Sequence, residues 1–153
     1  MLKQDAINNL RLGADQKGSS LLEVAIVLPL LVLLLAVAVD LGNACTAAIT
    51  TASAAHAGAL YGTANPTDTA GMVQAARTSA PSLPTLVPVA TYGCECSDGS
   101  SAVGSCSIVP ICAFNSIYYV ELDTTYVYTP LIPYPGLTDG FVLHGKARLR
   151  AAR

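Results

Sequence analysis

The sequence predicts an α+β fold: a long N-terminal helix, a short second helix and a small antiparallel sheet. Three observations carry that prediction. A run that is apolar but for Glu23, "LLEVAIVLPLLVLLLAVAV", fills Leu21–Val39. A segment dominated by alanine and other small residues follows it directly. Near the C-terminus, "YYVELDTTYVYTP" and "FVLHGKARLR" alternate apolar and polar residues with the period of a half-buried strand.

Composition narrows the class. The 153 residues suffice for one modest domain. Charged residues make up 12%, well below the usual quarter. The net charge of −2 gives no basic footprint, so nucleic acid is not expected as a partner. Much of the apolar excess lies in Leu21–Val39, and the remainder has the make-up of a small soluble domain.

Residues 1–18 are polar and of mixed charge, with Lys3, Arg11 and Lys17 against Asp5 and Asp15. The nineteen residues of Leu21–Val39 would rise roughly 28 Å as a helix, close to the hydrocarbon thickness of a bilayer. A buried soluble helix is the weaker reading at this length. A cleaved secretory signal is weaker too, because its apolar core is usually shorter and lacks a carboxylate. Arg11 and Lys17 precede the span and Asp40 follows it. The positive-inside tendency therefore places the N-terminus in the cytoplasm and the rest of the chain outside it. "LGNAC" at 41–45 is only a faint lipoprotein site, since Gly42 stands where a leucine is wanted.

The small-residue segment continues the helix to about Tyr61, because alanine favours helix and small side chains allow close helix packing. His56 on it has no metal-binding companion at helical spacing. "TANPTD" at 63–68 breaks the helix: Pro66 disfavours helix at Asn65, and Thr67 or Asp68 can cap a second helix through "DTAGMVQAARTSA". "PSLPTLVP" at 81–88 reads as a connector. "VATY" begins the strand region, and Asp98-Gly99 marks a hairpin turn. In the first alternating stretch Val120, Leu122, Thr124, Tyr126 and Tyr128 share one face, opposite Glu121, Asp123 and Thr125. In the second, Phe141, Leu143, Ala147 and Leu149 face inward, and His144, Lys146, Arg148 and Arg150 outward. "LIPYPGLTDG" is the loop between them. A helix packed on one sheet face is the economical arrangement. The domains expected are 1–18, 19–40 as the membrane helix, 41–80 as an extracytoplasmic helical region, and 81–153 as a cysteine-containing β-rich part.

Of the five cysteines, Cys45 stands alone, while Cys94, Cys96, Cys106 and Cys112 crowd into one turn-rich segment. Their spacing departs from the C-x2-4-C pairs of zinc sites, so disulfides in an oxidising compartment are the stronger reading. Three pairings are open. No metal or other cofactor is expected. The sequence holds no phosphate loop, no H-E-x-x-H and no G-x-S-x-G. Glu121 and Asp123 read as cross-strand partners of Lys146 or Arg148, not as catalytic carboxylates. A thiol–disulfide enzyme using Cys94 and Cys96 is disfavoured, since such motifs are usually C-x-x-C.

Glu23 is the one residue that the bland reading handles poorly. A carboxylate just inside a membrane segment is costly, and such residues are functional candidates by default. The alternative is an interfacial carboxylate stabilised by the helix dipole. The stretch "KGSSLLEVAIVLP" resembles the cleavage region of type IV prepilin-like proteins, and more specifically the TadE-like pseudopilins of the tight-adherence (Flp/Tad) pilus. Glu23 through Pro29 matches that family's glutamate–apolar–proline signature, with Val24 where phenylalanine is common. The alternating C-terminal strands around "YTPLIP" look similar too. The resemblance implies a prepilin peptidase cutting between Gly18 and Ser19, which makes Glu23 the fifth residue of the mature chain. It implies pairing of Glu23 with the new Ser19 ammonium of a neighbouring helix, and a kink or local melting at Pro29. It implies as partners the peptidase, other pilin and pseudopilin subunits, the inner-membrane assembly platform and membrane lipid. The implied role is that of a minor, non-enzymatic subunit in the inner membrane, with its C-terminal part in the periplasm. An uncleaved, membrane-anchored adhesin or binding protein is the alternative.

Overall fold

The computed structural model describes residues 16–104, 106, 112, 115–132 and 140–151. The charges at Lys3, Asp5, Arg11 and Asp15 and loop residues 133–139 lie outside the described residues. Two helices and four strands follow in order: α1 (Gln16–Ala64), α2 (Thr69–Ser79), β1 (Val87–Cys96), β2 (Ala102–Val103), β3 (Ser116–Tyr128) and β4 (Phe141–Ala151). The chain divides into two compact units, one ending at Leu41 and the other beginning at Gly42.

Within the first unit, every residue from Leu21 to Ala36 is exposed. A helix that is apolar all round has no face to give to water and is normally enclosed by protein or lipid. Here protein supplies no cover: none of the most apolar window is buried. Among the described residues this is the one helix long and apolar enough to cross a membrane, which suggests a membrane anchor. The helix continues through Pro29. Proline has no N–H, so the Ala25 carbonyl loses its usual helical donor there.

The second unit is a four-stranded antiparallel sheet in the order β2-β1-β3-β4, with helices on one face. Between α1 and α2, Asp68 is the capping residue. Its Oδ1 accepts the Gly71 N–H at 2.9 Å, and its Oδ2 accepts the Tyr61 hydroxyl at 2.9 Å, which ties the end of α1 to the start of α2. Two clusters form the core. One joins Ala55 and Ala59 of α1 to Met72 and Ala76 of α2 and to Val120 and Leu122 of β3. The other joins Ala47 and Ala54 to Leu83, Leu86 and Tyr128. The alanines thus serve helix–sheet contact as much as helix–helix contact. Their small size lets the backbones approach closely. At Gly145 of β4 a Cβ would meet the Thr51 carbonyl oxygen at 2.7 Å and the Ala52 Cα at 2.9 Å. Beside it the buried Thr124 hydroxyl lies 2.9 Å from the Thr51 carbonyl oxygen and 3.2 Å from that of Gly145. Either bond satisfies a hydroxyl that would be costly to bury unpaired.

One local expectation needs correction. The first strand is ten residues, not the four of "VATY". It absorbs Val87 and Pro88 from the expected connector and runs on through Cys96, because β3 offers a ladder partner at every position from Thr125 to Ser116. Proline is tolerated at 88 because β2 pairs only with Cys94 and Glu95, leaving β1 without a described neighbour on that side. The hairpin after β1 does turn at Asp98-Gly99, with Gly99 N–H donating to the Cys96 carbonyl at 2.8 Å. Of these two residues only Gly99 has positive φ, at 78°. Glu121 and Asp123 pair with Lys146 across the sheet as read, and Arg148 reaches across β3 to Glu95 of β1.

Candidate functional site

The N-terminal stretch places its residues on one helix. Gly18 and Ser19 lie in the first turn of α1, and Glu23 follows one turn later. Glu23, Val24, Val27, Leu28 and Leu31 line a shallow concave strip of the helix surface. Their spacing puts one carboxylate at the head of an otherwise apolar stripe. A carboxylate among exposed leucines and valines has little reason to be there unless a partner or an interface receives it. In the intact chain the Ser19 nitrogen is a peptide amide, so the ammonium expected to pair with a glutamate arises only if the Gly18–Ser19 bond is cut.

The open face of the sheet holds a second constellation. Glu95 is 6% exposed. Arg148 donates to its Oε2 and Arg150 to its Oε1, each at 2.6 Å. The Arg148 guanidinium also lies 4.0 Å above the Tyr119 ring, a cation–π contact. Register explains the arrangement. Glu121 stands directly opposite Arg148 on β4, but Lys146 reaches Glu121 diagonally at 2.6 Å and Asp123 at 3.7 Å. Arg148 is then released to Glu95. The Glu121 carboxylate, with help from Asp123, holds Lys146 above the usual lysine range. Sequence reasoning missed Glu95 because only the β1–β3–β4 order brings it near the arginines; its place between two strand cysteines gave no signal.

The cysteines frame the same end of the sheet. Cys94 is bonded to Cys106 and Cys96 to Cys112. Cys45 is free and exposed. Both β1 cysteines are buried on the helix-covered side, alternating with Glu95 on the open side. Nearby, the Asp98 carboxyl is held below the usual carboxylate range, mainly by the Ser100 backbone N–H and then its hydroxyl. Among the described residues no three His, Cys, Asp or Glu side chains converge as a metal site would require.

The decisive likeness lies in the helix. Residues 18–60 match the TadE-like protein family. The TadE-like segment begins at Gly18, takes in Glu23 and Pro29, and continues to Leu60, where α1 is already packed on α2 and β3. The sheet and its disulfides lie beyond the matched residues. No curated protein and no solved structure matches the chain.

Proposed function

We propose that this protein is a minor pseudopilin of a tight-adherence (Flp/Tad) pilus, a structural and assembly subunit cut by a prepilin peptidase after Gly18. The observation that carries the reading is Glu23 at the head of an exposed apolar helix, five residues after Gly18, inside the TadE-like segment. The apolar helix anchors the chain in the inner membrane. Two disulfides support an oxidising environment for the sheet, hence a periplasmic C-terminal domain with the leader in the cytoplasm.

The mechanism follows from charge burial. Cleavage removes the charged leader and exposes an ammonium on Ser19. Within a bundle of like helices the Glu23 carboxylate receives the ammonium of a neighbouring subunit. In a low-dielectric setting an unpaired carboxylate is heavily penalised, so only the register that joins the two charges is favoured. Pro29, by removing one helical hydrogen bond, eases extraction of the helix from lipid. The partners are the peptidase, other pilin and pseudopilin subunits and the inner-membrane assembly platform. The peptidase supplies its own catalytic groups, and this chain contributes the substrate bond.

Intact mass of the membrane-extracted protein tests the reading. The expected mass lacks residues 1–18; full-length protein from cells that contain the peptidase would overturn it. Glu23→Ala should insert normally but lose co-purification with pilus subunits, whereas undiminished co-purification and piliation would remove the role given to the carboxylate.

A further inference from the structure

β4 is the outer strand of the sheet, and among the described residues no strand pairs with its far side. Phe141–Ala151 contains no proline, so every residue keeps a backbone N–H. Such an edge presents unpaired N–H and C=O groups to a strand that fits. Both faces of this edge are particular. On the open face charge is segregated by strand. The carboxylates Glu95, Glu121 and Asp123 lie on β1 and β3, while His144, Lys146, Arg148 and Arg150 lie on β4. The cations bond inward to those carboxylates, yet the side chains of Lys146, Arg148 and Arg150 remain 61%, 43% and 56% exposed. A guanidinium has five N–H donors, and Glu95 takes one from each arginine. On the helix-covered face Phe141, Leu143, Ala147 and Leu149 are only partly buried. Their neighbours Val120 and Leu122 on β3 are fully buried. The apolar row therefore stops one strand short of full cover.

We propose that the outer edge of β4 takes an extended segment of a partner protein in which acidic and apolar residues alternate. Ladder hydrogen bonds hold its backbone. Its carboxylates meet the cations of β4, and its apolar side chains extend the row beside Leu143 and Ala147. β3 shows the pattern that β4 accepts. Glu121 stands opposite Arg148 and Asp123 opposite Lys146, with Leu122 opposite Ala147 between them. The incoming segment repeats that pattern on the other side. Charge excludes the rivals. The β4 of a second copy would set cations against cations in any register that keeps the two open faces on one side, and like charges directly opposite are destabilising. A basic or uncharged strand gains nothing from Lys146 and the arginines. The free side of β1 is the poorer edge, because Pro88 has no N–H and Val87, Val89 and Thr91 bring no charge. The inference needs neither cleavage at Gly18 nor a role for Glu23.

The probe is a fluorescein-labelled peptide copying Tyr119–Thr125, "YVELDTT", titrated by anisotropy into the full chain in a non-ionic detergent. Saturable binding is expected, with amide exchange slowed in β4 and unchanged in Val87–Thr91. With Glu121→Lys and Asp123→Lys the peptide should bind about tenfold more weakly, since two favourable cross-strand pairs become unfavourable. N-methylation at every second residue should abolish binding in one phase and spare it in the other, because only alternate N–H groups face β4. Lys146→Gln in the protein should weaken the acidic peptide about two- to fivefold. It should leave unchanged the binding of the peptide carrying Glu121→Gln and Asp123→Gln. The proposal is overturned if no saturable binding appears at millimolar peptide, if the lysine-bearing peptide binds as well, or if the protected amides lie in β1. Equal binding of both N-methylated forms also overturns it, since charge alone would then account for the contact. Each arm reads the same on cleaved and uncleaved chains, so a failure here leaves the mass test of processing standing.

Discussion

Replacing Gly145 by alanine tests how closely the helix lies on the sheet. A Cβ at this position would sit 2.6 Å from the Thr124 hydroxyl oxygen, 2.7 Å from the Thr51 carbonyl oxygen and 2.9 Å from the Ala52 Cα. Two of these atoms are helix backbone, so no flexible side-chain end can swing away. Overpacking of this kind costs about 1–3 kcal/mol. Displacing the helix also strains the buried Thr124 hydrogen bond, which contributes about 1 kcal/mol. The sum is about 2–4 kcal/mol, enough to lower the midpoint of thermal unfolding by on the order of 10 °C for a unit of this size. The assay is a thermal scan of the full chain in detergent, followed by the near-ultraviolet dichroism of its tyrosines. Gly42→Ala is the control: nothing lies within 4 Å of its Cβ, and alanine in a helix stabilises by up to about 1 kcal/mol over glycine. An unchanged midpoint for Gly145→Ala would show that the helix does not pack against β4 in this way.

Other perturbations probe the sheet and the turns. Glu95→Gln leaves two arginines without their carboxylate. Because both guanidinium groups are about half exposed, water softens the loss to about 1–2 kcal/mol, measurable by urea titration. Alkylation without reductant should label Cys45 alone, and reduction should lower the thermal midpoint, since each bridge constrains a short loop of the unfolded chain at about 3 kcal/mol; labelling of Cys94 or Cys96 before reduction would contradict the bonding. The Asp68 carboxyl is held below the usual carboxylate range, first by the Gly71 N–H and then by the Tyr61 hydroxyl. A lowered folded-state pKa means a stabilising contribution that is present above the unfolded value near 3.8 and is lost as the pH falls through the folded value. Protection of the Gly71 amide from exchange, relative to its intrinsic rate at each pH, should therefore fall below about pH 4, and Asp68→Asn should flatten that dependence.

Much of the architecture could be read before any coordinates. Apolar length, small-residue composition, Pro66 with Asp68, and period-two alternation in β3 and β4 are local signals, and local chemistry dictates them. The inward sets from Val120 to Tyr128 and from Phe141 to Leu149 lie on the helix-covered face as read. The length of β1 was not legible, because proline, glycine and glutamate are poor strand formers and only pairing with β3 holds them extended. The destination of Arg148 was not legible either, since Glu95 lies 53 residues away.

The N-terminal stretch divides in the same way. Glycine, the glutamate five residues on and the proline after it are fixed by sequence spacing alone, and so is the apolar length that suggests a membrane. Which cysteines are joined, which carboxylate holds the two arginines, and which side of α1 is left bare were decided by the tertiary structure. Each depends on strand order and on the face the helix turns to the sheet. Those follow from burying one contiguous core, a property of the whole chain that no short segment contains.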